Sequence, residues 1–248
     1  MGDEKRKSPP TSVGGSIPPA VVSRLSLYLR ELQHLVRQGH ETISSNTLGP
    51  LLGFSDAQVR KDLAHFGQFG YPGIGYRCQE LIDAVKRILG TDRRWPVAVI
   101  GMGNLGQALM GHKGFERQGF SIVAAFDVDE AKVGKSIAGV PILPLADLAR
   151  ATREYGIQMA MLAVPASAAQ SVADQAAEAG VRGIVNFAPV TINLPDEVHQ
   201  VGVDLAMELE KLSFAVARST PGRRLPAPPT SDELDLGDAP INSDAADN

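Results

Sequence analysis

Three glycines and one aspartate, Gly101, Gly103, Gly106 and Asp127, have the types and spacing that point most directly to a chemical role. The glycines lie between an apolar run and a predicted helix, and Asp127 ends the next apolar run. In this arrangement the first glycine permits a tight turn, the second lets the backbone approach a pyrophosphate, and the third lets the helix pack close to the strand. N–H groups at the helix start bind phosphate oxygens, and the aspartate accepts hydrogen bonds from ribose hydroxyls. The pattern therefore predicts a bound dinucleotide.

The identity of the dinucleotide and the rest of its site follow from neighbouring residues. No arginine directly follows Asp127, whose charge would repel a 2′-phosphate, so NADH and NAD⁺ are favoured over their phosphorylated forms. Two later apolar runs, at 159–164 and 183–187, should end at the same edge of the sheet. The predicted cofactor-binding residues are Gly101, Met102, Gly103, Asn104, Leu105, Gly106, Asp127, Val164, Pro165, Asn186 and Phe187.

Apolar runs that alternate with helical patterns must position this site. The runs at 97–100, 121–126, 159–164 and 183–187 are nearly continuous, with shorter candidates at 140–142 and 198–204. Strands that are buried on both faces have this composition, and intervening helices favour parallel connections. Residues 93–203 are therefore predicted to form an α/β domain with a doubly wound parallel sheet of the Rossmann type. Ser167 is predicted to cap the helix that runs to 179–180.

A different pattern precedes this domain, in residues 17–92, where three helices come first. Apolar side chains at helical spacing define the first helix, which should end at Gly39. Its buried stripe is predicted to consist of Val22, Leu25, Leu29, Leu32 and Val36. The second helix should begin at Ser44 or Ser45 and be short or distorted, because Pro50 interrupts it. The third should begin after Ser55, which has the form of a capping box with Gln58.

The third helix and the segment after it have the order of a winged helix. The apolar stripe of the third helix leaves basic and amide side chains on its opposite side. Aromatic residues and glycines alternate over 67–76, which predicts a β-hairpin with its tip at Pro72-Gly73, followed by a helix that ends at Gly90. A hairpin directly behind a recognition helix is a wing. The predicted DNA-binding residues are Gln58, Arg60, Lys61, His65 and Gly73.

The two ends of the chain differ from both predicted domains. Residues 1–16 and 218–248 have few residues to bury and are predicted to be a disordered leader and a disordered acidic tail. Residues 204–217 contain an amphipathic helix with no further domain to pack on, so this helix is predicted to be a homodimer seam or an exchanged helix. The expected segments are thus 1–16, 17–92, 93–203, 204–217 and 218–248.

Composition argues against several classes of protein. The chain has 248 residues and a net charge of −4, so its total charge does not indicate nucleic acid, although a small basic face would be hidden in that total. The single cysteine, Cys78, cannot form an intramolecular disulfide or a cysteine-rich metal site. No segment resembles a secretory leader or a membrane span. These features predict a cytoplasmic protein with no metal and no membrane partner.

Two groups of motifs together resemble one family, the bacterial redox-sensing repressors called Rex. The segments at 58–63, 66–67 and 73–76 (QVRKDL, FG and GIGY) resemble the recognition helix and wing of that family. Those at 101–106, 126–129, 186–189 and 212–215 (GMGNLG, FDVD, NFAP and LSFA) resemble its cofactor domain and terminal helix. The resemblance covers residues 17–217.

The resemblance implies a homodimeric repressor that binds palindromic double-stranded operator DNA. In that family NADH binding closes the dimer and releases the DNA, whereas NAD⁺ competes and leaves the protein able to bind. By the same resemblance Arg60 and Lys61 belong to the recognition helix and Gly73 to a wing tip that enters the minor groove. The terminal helix is swapped between protomers.

The resemblance also implies a set of switch residues. Arg30, His112 and Asp204 fall at the positions of polar contacts that rearrange between the two states. His112 departs from the tyrosine of the family at this position. Either the histidine keeps the contact with a different donor, or this protein switches without it.

Two other functions share the glycine pattern. An NAD-dependent dehydrogenase would use the same turn, but the chain continues for about one helix after the predicted sheet, and its five histidines form no recognisable pair with a carboxylate. No catalytic residue is therefore predicted, and the chain is expected not to be an enzyme. Similar sheets also form modules that bind coenzyme A or other nucleotides, although Asp127 favours a ribose of NAD(H).

Overall fold

A computed structural model describes residues 17–219 of the chain. The chain divides into two compact units, of which the first ends at Val203 and the second begins at Asp204. The predicted disordered leader, and the predicted tail from residue 220 onward, lie outside the described residues.

The first part of the first unit is a winged helix, which confirms the fold predicted for it. Its elements are α1 (Pro19–Arg37), β1 (Thr42–Ile43), α2 (Ser45–Leu51), α3 (Asp56–Ala64), β2 (Gly70–Tyr71), β3 (Gly75–Arg77) and α4 (Cys78–Leu89). The strands form an antiparallel sheet in the order β1-β3-β2. The hydroxyls of Ser44 and Ser55 accept backbone N–H groups at the starts of α2 and α3. α4 ends at Leu89 and is capped by Gly90, which adopts the left-handed conformation that glycine favours.

The buried face of α1 is rotated by about one residue from its predicted position. The buried residues are Val21, Leu25, Tyr28, Leu32 and Leu35. Val22, which was predicted to be buried, is 41% exposed. The prediction counted aliphatic side chains alone. Tyr28 is completely buried because its hydroxyl donates a hydrogen bond to the carboxylate of Asp62, and its burial turns the inner face of the helix.

The remainder of the first unit is an α/β domain around one large sheet. Its elements are β4 (Trp95–Ile100), α5 (Asn104–Met110), α6 (Gly114–Arg117), β5 (Phe120–Asp127), β6 (Ser136–Ile137), β7 (Val140–Pro144), α7 (Leu148–Tyr155), β8 (Met159–Leu162), α8 (Ala166–Glu178), β9 (Gly183–Asn186) and β10 (His199–Gly202). The seven strands have the order β10-β9-β8-β4-β5-β7-β6, and every pair is parallel except β6 with β7. Apart from β6, this is the doubly wound order of a dinucleotide-binding sheet, so the predicted α/β class is confirmed.

Apolar clusters cover both faces of this sheet. One cluster packs Ile100, Leu162 and Ile184 from the strands against α7 and α8. The other contains Val97 and Val99 on the opposite face. The core of the winged helix is a third cluster. Successive strands are added on one side of β4 as far as β7 and β6 and then on its other side from β8 onward, and a ligand site is expected where the strand order reverses, between β4 and β8.

Two local features of the α/β domain differ from the prediction. α8 begins at Ala166 directly after Pro165, so Pro165 and not Ser167 occupies the N-cap position. The fixed φ of proline suits a residue that leads into a helix. β6 was not predicted, because a strand of two residues is too short to show an alternating pattern.

The second unit contains α9 (Leu205–Ser219). Asp204 caps this helix, since its Oδ1 atom accepts the backbone N–H groups of Ala206 and Met207 at 2.8 and 3.2 Å. The helix extends two residues past its predicted end at 217. Its large apolar side chains are exposed: Leu205, Met207, Leu209, Leu212, Phe214 and Val216. Within residues 17–219, no helix has both the length and the apolar character needed to cross a bilayer.

Candidate functional sites

A cavity of about 620 Å³ lies at the carboxyl edge of the large sheet, where β4, β5 and β8 end. Nine of the predicted cofactor-binding residues line it: Gly101, Met102, Gly103, Asn104, Leu105, Asp127, Val164, Pro165 and Phe187. Ile100, Phe126 and Val172 add an apolar wall. The cavity thus has the size and mixed character of a small-molecule site.

Two predicted residues, Gly106 and Asn186, lie behind the cavity. Gly106 packs directly on the carbonyl of Gly101, and a side chain at position 106 would overlap it. Asn186 is buried, and its amide donates to the Val190 carbonyl and accepts from the Ala188 N–H. Both residues support the loops that form the cavity.

Backbone N–H groups of the glycine turn are available to a ligand. Gly101 has a φ of +96°, and a side chain there would collide with the Ala163 carbonyl. Among residues 17–219, no acceptor is found for the N–H groups of Gly103, Asn104 and Leu105. The space beside the Gly103 α-carbon is open. Consecutive backbone donors without acceptors bind anionic groups, so a pyrophosphate fits this turn.

Asp127 has a structural role that its predicted role did not include. Its Oδ2 atom accepts the N–H of Met102 at 2.7 Å, and its Oδ1 atom accepts the N–H of Asp129 at 2.8 Å. Burial alone would raise the pKa of Asp127, but these donors and Lys132 outweigh burial and hold the pKa below its usual value. The carboxylate therefore stays ionised and fixes the glycine turn against the end of β5.

Two cavity residues, Asp129 and Lys132, were missed by the sequence prediction. Lys132 Nζ lies 3.2 Å from the Asp127 carboxylate and 3.3 Å from that of Asp129. The hydrogen bond to Asp127 raises the pKa of Lys132. The lysine places a positive charge beside the predicted ribose site. Asp129 lies two positions after Asp127, and that position alone is a weak sequence signal for a ligand site. Lys132 lies in a turn that has no sequence signature of its own.

Two of the predicted DNA-binding side chains on α3 already have intramolecular partners. The amide nitrogen of Gln58 donates a hydrogen bond to Asp62 Oδ1 at 2.7 Å. Arg60 contacts Asp56 at 2.6 Å and the hydroxyl of Ser45 in α2 at 3.1 Å. The hydrogen bond from Arg60 lowers the pKa of Asp56. The predicted capping box is only half formed, because Ser55 caps α3 while Gln58 turns to Asp62.

The two remaining side chains of that surface are exposed or half-buried. Lys61 is exposed and forms no ion pair with the residues that the structure describes. His65 follows the end of α3 and stacks edge-on against Phe66 at 6.4 Å. Lys61 is therefore the α3 cation that is free to reach a ligand.

The wing is tied to the start of α4. Tyr71 and Arg77 donate to the two oxygens of Glu80, each at 2.9 Å, and the Arg77 guanidinium lies 4.9 Å from the Tyr71 ring centre. These donors lower the pKa of Glu80. Gly73 at the tip has a φ of +75° and open space around it. The structure thus presents a short, braced hairpin with an uncovered tip.

The three predicted switch residues occupy different places. Arg30 is exposed on α1 and lines a cavity of about 220 Å³ that α1 shares with Gln118 and Phe120. The His112 ring stacks edge-on against Phe115 at 4.8 Å and lies against Gly114, where a side chain would clash. Asp204 belongs to the second unit, where it caps α9.

Comparison with known proteins identifies the family. A family model described as a CoA binding domain matches residues 92–190, and one described as the N-terminus of a putative DNA-binding protein matches residues 16–64. A redox-sensing transcriptional repressor Rex from Carboxydothermus hydrogenoformans is 46% identical over 205 residues, which cover 83% of this chain and 99% of that protein. The chain belongs to the Rex family. A second Rex repressor, from Desulforamulus reducens, is 45% identical over 81% of this chain and 96% of its own.

Solved structures of a Rex-family repressor named RSP have the same architecture. RSP in complex with NAD⁺ and operator DNA matches with a TM-score of 0.79 at 33% identity, over 82% of this chain and 94% of that chain. RSP in complex with NADH matches with a TM-score of 0.74 at 31% identity, over 82% and 96% of the two chains. The Rex resemblance predicted from the sequence motifs is confirmed.

Proposed function

We propose that this chain is a cytoplasmic redox-sensing transcriptional repressor that binds palindromic operator DNA as a homodimer and releases it when NADH binds. The observation that carries the proposal is the union, in one chain, of a braced winged helix and a dinucleotide-type cavity, in a protein 46% identical to a named redox-sensing repressor. RSP, which is solved with NAD⁺ and operator DNA and with NADH, supports both ligands.

The cofactor would be held by the turn and walls of the 620 Å³ cavity. The free N–H groups of Gly103, Asn104 and Leu105 would bind the pyrophosphate, and Asp127 and Asp129 would face the ribose. Val164, Pro165 and Phe187 form the part of the wall that lies toward β8 and β9. The dinucleotide supplies a redox signal through its two forms, and the residues of this chain bind and orient it.

The DNA would be bound by α3 and the wing. Phosphate contacts give affinity, whereas side chains that reach base edges in the major groove give specificity. Lys61 is exposed and forms no ion pair within residues 17–219, and Arg60 is held in place by Asp56 and Ser45. His65 lies at the end of the same surface. Gly73, at the tip of the hairpin, would enter the minor groove.

The two functions would be coupled through a homodimer. A dimer that reads two half-sites gains affinity because both winged helices bind at once. The exposed apolar side chains of α9 support a helix exchanged with a second copy. Arg30, His112 and Asp204 would form contacts that differ between the two states. A coupling of ~1–3 kcal/mol would change operator affinity about 5- to 150-fold.

No enzymatic activity is part of this proposal. One of the two family models bears the description CoA binding domain, which makes coenzyme A a second candidate ligand. Calorimetric titration with NADH, NAD⁺, NADPH and coenzyme A separates these possibilities. The proposal expects NADH to bind most tightly, and binding of coenzyme A alone would contradict it.

The repressor function itself is tested on DNA. A palindromic duplex enriched by the protein from a random pool would be titrated at fixed salt with NADH and NAD⁺ varied independently. The proposal expects NADH to release the duplex and NAD⁺ to counteract that release. Operator binding that is indifferent to saturating NADH would overturn it.

A further inference from the structure

The buried carboxylate of Asp62 accepts four hydrogen bonds, three of which come from α1 and join it to α3. Arg24 donates from Nε to Oδ2 at 2.6 Å and from Nη2 to Oδ1 at 2.8 Å. The Tyr28 hydroxyl donates to Oδ2 at 2.8 Å, and Gln58 Nε2 donates to Oδ1 at 2.7 Å. Each carboxylate oxygen therefore accepts two hydrogen bonds, which is its full capacity. These four residues are called the α1–α3 clamp below.

The clamp holds a buried charge, so each of its donors offsets part of the cost of that burial. The side chain of Asp62 is 1% exposed and that of Arg24 is 21% exposed. Burial by itself would raise the pKa of Asp62, but the donors from Arg24, Tyr28 and Gln58 outweigh burial and lower it. A buried charge that loses a partner is strongly destabilised, because water does not replace the missing hydrogen bond. The relative position of α1 and α3 is thus set by this group of side chains as well as by apolar packing.

The opposite side of α1 faces the α/β domain. Ser26, Arg30 and Gln33 line the 220 Å³ cavity together with Gln118, which precedes β5, and Phe120, the first residue of β5. Their spacing along α1 places them on one face, away from Arg24 and Tyr28. One helix of 19 residues therefore borders a cavity shared with the α/β domain on one side and holds the recognition helix on the other.

We propose that Arg24, Tyr28, Asp62 and Gln58 are positioning residues that fix α3 on α1, so that a displacement of α1 moves the DNA-reading side chains with it. This inference rests on the proposed repressor function and adds the path by which the α/β domain reaches α3. It also assigns Gln58, which was predicted to bind DNA, the role of a positioning residue, because its amide nitrogen donates a hydrogen bond to Asp62.

Two variants test the clamp with different severity. Asp62→Asn keeps the shape of the side chain but removes its charge and turns one acceptor into a donor. Tyr28→Phe removes a single donor and leaves the Arg24 pair in place.

The matched control is Asp83→Asn. Asp83 in α4 accepts a hydrogen bond from the amide of Gln79 at 3.0 Å, four residues earlier, as Asp62 does from Gln58. Asp83 is exposed, however, and the part of the chain that the structure describes offers it no arginine or tyrosine partner. Both Asn variants remove one negative charge from the winged helix, so the change in general attraction to DNA is matched.

The measurements are made on the full chain. They are the active fraction from stoichiometric titration, the affinities for an enriched palindromic duplex and for random duplex at one salt concentration, and the NADH affinity of the free protein. Asp62→Asn is expected to lower the ratio of palindromic to random affinity by roughly tenfold or more, comparable with the loss of one good base contact. It should leave the NADH affinity of the free protein unchanged and reduce the release of DNA by NADH. Tyr28→Phe should change the same quantities in the same direction by less, and Asp83→Asn should match the wild type.

Other outcomes overturn the inference. If Asp62→Asn and Tyr28→Phe keep the wild-type affinity ratio and NADH response, the clamp does not position α3. If both DNA affinities fall equally with the active fraction, the clamp is only structural. Should Asp62→Asn fail to fold, Tyr28→Phe decides by the same criteria. Failure of the wild type itself to release DNA with NADH would contradict the repressor function instead, while the affinity ratio of the variants would still report on the clamp.

Discussion

Two buried aspartates, Asp62 in the winged helix and Asp127 in the α/β domain, show how the same side chain can serve two purposes. Asp62 accepts four hydrogen bonds from side chains, so both its oxygens are fully used. Asp127 accepts two backbone N–H groups and contacts Lys132, and it borders a 620 Å³ cavity. A carboxylate whose hydrogen-bond acceptor capacity is fully used can only fix structure. One that has acceptor capacity left and lies beside a cavity can fix structure and also bind a ligand.

The difference predicts that removing Asp62 has the largest effect on stability. Asp62→Ala leaves the half-buried guanidinium of Arg24 and the buried hydroxyl of Tyr28 without their acceptor. We expect a loss of about 3–5 kcal/mol in the free energy of unfolding of the winged helix. Urea unfolding followed by circular dichroism measures this loss. A loss no greater than that of Asp83→Ala would show that the cluster adds little to stability.

Removing the Asp127 side chain should instead mainly lower the affinity for the ligand. Asp127→Ala frees the N–H of Met102 and removes an acceptor for the ribose, so the affinity for NADH should fall by about 1–3 kcal/mol, or roughly 5- to 150-fold. Calorimetry with NADH measures the change, and urea unfolding should show a smaller loss than for Asp62→Ala. Unchanged NADH affinity would contradict the assignment of the cavity.

Lowering the pH should reduce the contribution that both Asp62 and Asp127 make to the stability of the fold. The folded-state pKa of each is below its ordinary value near 4, so each contributes stability that is complete above that pH and is lost as pH falls through the lower folded value. The urea midpoint of the wild type should therefore decrease below about pH 4. Asp62→Asn should show a weaker dependence, as measured by urea unfolding from pH 6 to pH 2. An unaltered pH dependence in this variant would show that Asp62 titrates normally.

The smallest expected effect in this comparison is that of removing the Lys132 side chain. It lies 3.2 Å from Asp127 and partly neutralises the charge that should repel a 2′-phosphate. Lys132→Ala should weaken the binding of NADPH more than that of NADH, with the ratio changing about threefold at low salt. Parallel calorimetric titrations provide the ratio. A ratio that rises in favour of NADPH would show that Lys132 contacts the dinucleotide differently.

The sequence is informative where local pattern determines structure. The glycine turn, the strand that ends at Asp127, the caps at Ser44 and Ser55, and the hairpin tip at Gly73 are all short-range features, and the structure contains each of them. The nearly continuous apolar runs, separated by helical patterns, also predicted the parallel sheet, because its strands are buried on both faces.

The clamp could not be predicted because its partners are distant in sequence. Arg24 and Asp62 are 38 residues apart, and each reads as an ordinary surface charge on an amphipathic helix. The burial of Asp62 depends on Tyr28, whose inclusion in the inner face of α1 also explains why the predicted stripe was rotated. Lys132 was missed for a related reason, because its contacts with Asp127 depend on the turn after β5. Polar side chains have no periodicity that distinguishes a paired buried charge from a solvated one.

The most direct test of the central claim compares the wild type with Asp127→Ala on DNA. Both proteins would be bound to the same enriched palindromic duplex at fixed salt and titrated with NADH, with fluorescence anisotropy as the readout. If the dinucleotide in the cavity at Asp127 controls DNA binding, the wild type releases the duplex while Asp127→Ala remains bound at the same NADH concentration. Release of both proteins at the same concentration, or of neither, would contradict the account.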